Sequence, residues 1–170
     1  MLCTVTIYLV VPLLVAVAIL QSTLVSHFRI WGVFADLPLL VVASWSLLRG
    51  PRDGLIWGFI AGVILDLFSG APFGAATFGL MAAGFLAGLG HSTVFRSQLF
   101  LPLLVMLLAT VVYDMLFLLV VWISGHSVSW LDSLFHLVLP SAILNAILTP
   151  VVFLITRWLN TRFGREEMEW

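Results

Sequence analysis

Residues 54–74 read GLIWGFIAGVILDLFSGAPFG, and they place Gly54, Gly58 and Gly62 at intervals of four. On a helix that spacing puts all three on one side, as a flat strip without side chains. Leu55, Ile56, Phe59, Ile60, Val63, Ile64 and Leu65 surround the strip, and no charge appears after Gly54 until Asp66. In a water-exposed helix each glycine would cost about 1 kcal/mol against alanine. In a bilayer the same glycines let a second backbone approach closely, and close packing is what associates helices there. Asp66 ends the apolar run and Ser69-Gly70-Ala71-Pro72 follows. This predicts a transmembrane helix, a tight turn and a returning helix opened by Pro72.

The rest of the chain obeys the same constraint. Of 170 residues, 62% are hydrophobic and 9% charged, with a mean hydropathy of +1.20. A globular domain carries about 25% charged residues, so this chain has too little polar surface to face water. There is no lysine, and the seven arginines, at 29, 49, 52, 96, 157, 162 and 165, are too dispersed to form a nucleic-acid face. Cys3 is the single cysteine, which excludes an intrachain disulfide and a cysteine metal cluster. The first apolar run has neither the basic region nor the cleavage site of a signal peptide, so it reads as a retained span.

Six segments approach the ~20 apolar residues that a spanning helix needs: 3–24, 33–48, 54–68, 73–90, 99–123 and 131–157. The expectation is one all-α domain over residues 1–170, a six-helix transmembrane bundle. The breaks carry turn or charge signals, such as His27-Phe28-Arg29, Arg49-Gly50-Pro51-Arg52-Asp53 and Ser124-Gly125-His126-Ser127. With both termini in the cytoplasm, Arg49, Arg52, Arg96, Arg157, Arg162 and Arg165 lie inside and only Arg29 outside, as the positive-inside rule demands. Trp31, Trp122 and Trp130 then fall near the outer boundary, and Trp45, Trp57 and Trp158 near the inner one.

This topology places three carboxylates in the outer half of the membrane: Asp36 near the start of helix 2, at the interface where solvation is cheap; Asp66 at the end of helix 3; and Asp114 within helix 5. An intramembrane carboxylate is a functional candidate by default. One reading is an outward-opening polar pocket for a cation, a proton or a partner's basic group. The other is structural. Asp66 can accept backbone N–H bonds from its turn and from the start of helix 4, so Asp66→Asn is expected to be mild. Asp114 can be held by hydrogen bonds. Asn145, five residues before Pro150, reads either as a polar hinge at a kink or as an interhelical hydrogen-bonding residue. Gly84 and Gly88 repeat the four-residue spacing on helix 4, and ten of the thirteen glycines fall between residues 50 and 90, so helices 3 and 4 are expected to pack closely through Gly54, Gly58, Gly62, Gly84 and Gly88. His27, His91, His126 and His136 share no face and no His-x-x-x-His spacing, which argues against a metal site. No nucleophile elbow, Walker loop or Rossmann glycine pattern appears, so neither an enzyme nor a cofactor is expected.

Gly58-Phe59-x-x-Gly62, leading to Leu65-Asp66-Leu67-Phe68-Ser69-Gly70 and Phe73-Gly74, resembles the signature region of the MreD family, the bacterial rod-shape-determining membrane proteins. Val111-Val112-Tyr113-Asp114 resembles that family's helix-5 aspartate motif, and Asn145 with Pro150 its last helix. The chain departs from the pattern in having Ala35 before Asp36, with proline only at Pro38. The resemblance implies a non-catalytic scaffold of the cell-elongation machinery in the bacterial inner membrane, involved in cell shape and lateral peptidoglycan synthesis. Its implied partner is MreC, and indirectly the synthase RodA, RodA's transpeptidase partner and the actin-like MreB, beside membrane lipids. It also implies a fold similar to the substrate-binding subunits of vitamin uptake transporters. That similarity supplies the alternative of a small-solute-binding transporter subunit. Few polar side chains lie in the spans, which favours the scaffold.

Overall fold

A computed structural model describes residues 12, 14–21, 35–91, 100–127 and 129–163. Cys3, the break at 27–29, Trp31, Arg96 and the acidic tail lie outside them. The described residues form six helices and no strand. Helix α1 is described over 14–21; α2 is Leu37–Arg49, α3 Pro51–Ser69, α4 Ala75–Leu89 and α5 Phe100–Ile123. The last helix, α6, runs in three stretches: an α-helical turn Trp130–Ser133, a π-helical turn Leu134–Val138 and the α-helix Leu139–Phe163. Two stretches, Pro102–Ile123 and Trp130–Asn160, are long and apolar enough to cross a membrane. Leu37–Arg49 and Ala75–Leu89 are shorter apolar helices.

Helix α2 is the centre. Nine of its thirteen residues are buried, and it packs against α3, α4, α5 and α6. Leu39, Leu40, Val42, Ala43, Trp45 and Leu47 join Trp57, Ala61, Leu80, Ala83, Met106, Ala109, Tyr113 and Phe153 in one apolar core. The outer faces are apolar as well: Phe59, Phe78, Leu108, Ile147 and Leu154 are each more than half exposed. A monomer in water does not carry such a continuous apolar coat.

The α3–α4 pair shows why glycine recurs. A Cβ on Gly58 would meet the Leu80 carbonyl oxygen at 2.5 Å, one on Gly62 would strike the Thr77 backbone, and one on Gly88 the Pro51 backbone. Gly54 and Gly84 face each other, and a Cβ on Gly84 would lie 2.5 Å from the Gly54 carbonyl oxygen. Ser46 on α2 closes the same crossing by donating to the Gly84 carbonyl at 2.5 Å. The turn between the helices is longer than the sequence suggests. Gly70 ends α3 with φ +64°, a left-handed conformation that favours glycine. Pro72 does not open α4: the helix starts at Ala75, and the Pro72 carbonyl accepts the Ala75 N–H at 3.1 Å.

Two further differences from the sequence reading have physical reasons. Trp45 and Trp57 are 6% and 5% exposed, so they fill the core where position alone suggested an interfacial belt. Trp122, Trp130 and Trp158 are exposed, and the first two stack edge to face at 6.2 Å. The irregularity in α6 sits at Leu134–Val138, while the helix runs unbroken through Pro150. Pro140 has no N–H for the His136 carbonyl and its ring crowds that oxygen. A wider π turn just before it relieves the crowding.

Candidate functional site

By their hydrogen bonds the three carboxylates fall into two polar assemblies. In the first, Asp66 closes the α3–α4 turn. Its Oδ2 accepts the Gly74 N–H at 2.9 Å, the Thr77 N–H at 3.1 Å and the Thr77 hydroxyl at 2.6 Å, and its Oδ1 accepts the Ala76 N–H at 2.9 Å. These backbone donors belong to the first turn of α4 and would otherwise face the bilayer unpaired. Asp66 is 5% exposed, and every bonded neighbour is a donor.

The second assembly binds four helices. Asn145 on α6 accepts the Asp36 backbone N–H through Oδ1 at 3.1 Å and donates through Nδ2 to Thr110 on α5 at 3.3 Å. Gln21 on α1 accepts the Leu37 N–H at 3.2 Å and donates to Asp36 Oδ1 at 3.4 Å. Two side chains from other helices thus cap the start of α2, where Asp36 makes no cap of its own. Asp114 on α5 accepts from the Ser141 hydroxyl of α6 at 2.6 Å, and that hydroxyl also lies 2.9 Å from the Val138 carbonyl. Tyr113 lies within electrostatic reach of Asp36, Asp114 and Asp66, and so stands between the two assemblies, while Asp36 lies within reach of Asp114.

Asp36 is half-buried, and the start of α2 is tied into the bundle, because its first N–H groups are bonded by protein side chains.

Sequence reasoning had singled out Asp36, Asp66, Asp114 and Asn145 but not Gln21, Thr77, Thr110 or Ser141. Gln21 carried a usable signal, as the one amide in its apolar run. The hydroxyl residues carried none, because most such groups in membrane helices bond to their own backbone. Thr149 and Thr156 do so here, to the Asn145 and Val152 carbonyls. No three His, Cys, Asp or Glu side chains stand close enough to hold a metal among the described residues. His91 lies at the other end of the bundle, with Nδ1 3.0 Å from the Leu47 carbonyl oxygen.

The family model of MreD, the rod shape-determining protein, matches residues 4–159. The chain belongs to the MreD family. The match covers both polar assemblies and the α3–α4 glycine contact, so these are features of a rod-shape-determining membrane protein. No solved structure matches the chain.

Proposed function

We propose that this protein is a non-catalytic scaffold of the bacterial cell-elongation machinery. In this reading six helices span the inner membrane as one domain, both termini are cytoplasmic, and the bundle holds MreC. Through MreC it acts on RodA, its transpeptidase partner and MreB in lateral peptidoglycan synthesis. The observation that carries this reading is the use to which the buried polar groups are put. Asp66, Asn145, Gln21 and Thr110 bond to one another or to helix starts, so they fix helix positions. A reaction centre or a solute site needs several convergent polar groups left over to meet a substrate, and here one oxygen each of Asp36 and Asp114 is without a partner among the described residues.

The experiment is purification of the full chain from native membranes in mild detergent. Recovery of MreC with it is the expected result. A bound small metabolite without MreC would instead establish the transporter-subunit reading and its resemblance to vitamin carriers. The topology is checked by cysteine labelling in a Cys3→Ser background. A cysteine at position 127 should be labelled from the periplasm and one at position 165 should not. The reverse pattern sinks the six-span orientation.

A further inference from the structure

The end of the bundle opposite the polar lattice holds several hydrogen-bond donors without an acceptor among the described residues. Arg49 closes α2. Its Nε donates to Asn160 Oδ1 on α6 at 3.1 Å, and its guanidinium carbon lies 5.2 Å from the centre of the Trp45 ring. These two contacts fix the plane of the guanidinium. Its two terminal nitrogens bond to nothing among the described residues, and the buried indole N–H of Trp45 also has no acceptor. Arg52 follows Pro51 at the start of α3, with Asp53 next to it, and Arg157 lies one turn before Asn160 on α6. Both are exposed, and neither forms an ion pair among the described residues. Trp158, 57% exposed, marks the same level as a membrane interface.

A planar guanidinium with its Nε occupied and its outer edge open matches two oxygens of a phosphate. Two further arginines without an ion pair among the described residues favour a ligand with net negative charge. The level of the site, at the end of apolar helices, is where lipid phosphates lie. We propose that Arg49, held by Asn160 and Trp45 between the ends of α2 and α6, binds the headgroup phosphate of an anionic phospholipid, with Arg52 and Arg157 supplying the preference for negative charge. The site does not rest on the scaffold reading or on which side of the membrane this end faces.

The test uses the full chain, delipidated in detergent and titrated with phosphatidylglycerol, phosphatidylcholine or inorganic phosphate. Bound lipid is counted by native mass spectrometry and stabilisation is read by thermal melting. Phosphatidylglycerol should bind and raise the melting temperature, phosphatidylcholine should do so far less, and inorganic phosphate at the same concentration should not. Arg49→Lys keeps the charge but loses the fork, and should weaken phosphatidylglycerol binding about tenfold. Asn160→Ala leaves all charges in place and should weaken it by about threefold or more, because the guanidinium is no longer oriented. Arg157→Gln, at an exposed position that should not affect folding, should reduce the preference for phosphatidylglycerol over phosphatidylcholine. Undiminished phosphatidylglycerol binding by Asn160→Ala, or an unchanged preference in Arg157→Gln, overturns the proposal. So does equal stabilisation by inorganic phosphate, which would assign the site to a free anion.

Discussion

The α3–α4 pair and the α2–α5–α6 group solve one problem in two ways. In lipid the hydrophobic effect gives helices little reason to adhere, since the tails outside are as apolar as the side chains inside. Helices α3 and α4 adhere by removing side chains, so that backbone meets backbone along Gly54, Gly58, Gly62, Gly84 and Gly88. Helices α2, α5 and α6 adhere through longer polar side chains that reach across the gap, with Asn145 bonded to Asp36 and to Thr110. The first contact is continuous and intolerant of any added atom. The second is a set of discrete bonds that can be removed one at a time. The two regions should therefore respond differently to mutation.

The largest effect is expected at the glycine strip. Gly58→Leu would drive a side chain into the Leu80 carbonyl and the Met81 backbone, neither of which can move alone. A loss of about 3 kcal/mol, at the upper end of overpacking costs, should appear in denaturant unfolding of the micellar protein. A folded Gly58→Leu of unchanged stability would break the comparison at its root.

Asp66 comes next. The expectation that Asn would substitute mildly fails on geometry, because the carboxylate is surrounded by donors alone. An Asn amide would point N–H groups at N–H groups. Asp66→Asn should cost about 1–2 kcal/mol and Asp66→Leu about 3 kcal/mol. Equal stability of the Asn variant and the parent in thermal melts would refute the donor-only description.

Within the polar lattice, Asn145→Ala should cost about 1–3 kcal/mol by leaving the Asp36 N–H without its acceptor, while the Thr110 hydroxyl keeps its bond to the Met106 carbonyl. A double-mutant cycle of Asn145→Ala with Thr110→Ala should show coupling of about 0.5 kcal/mol or more, whereas Asn145→Ala with Gly58→Ala should be additive. Coupling between the two regions would mean that they are one assembly. The smallest effect belongs to Ser44→Ala. The Ser44 hydroxyl is fully buried and has no hydrogen-bond partner among the described residues, so its removal should change the stability by less than about 0.5 kcal/mol or raise it slightly.

The same contrast explains what the sequence made legible. Glycines at intervals of four state their purpose in one dimension, because the strip they form is local. The Asp66 bonds were legible for the same reason: the donors lie 8 to 11 residues away, in the turn that Ser69 and Gly70 announce. The lattice could not be read this way. Asp36 meets Asn145 across 109 residues and Asn145 meets Thr110 across 35, and no spacing rule links them. Helix α2 opens at Leu37, later than hydropathy suggested, because the apolar residues before it extend that signal past the helix start. Trp45 and Trp57 were misplaced because a tryptophan near a boundary can face lipid or core, and hydropathy is blind to direction.

The capping of α2 by Gln21 and Asn145 also sets an order of assembly. During synthesis α2 follows α1 directly, so the Gln21 bond can form as soon as both helices are in the bilayer. The Asn145 bond waits until the last helix has left the ribosome. Helices α3 and α4 need only each other and can pair long before that. A chain stalled or cut before α6 would hold a finished glycine hairpin beside a second helix whose first N–H is bare to lipid. That incomplete end would distinguish an unfinished chain from a mature one.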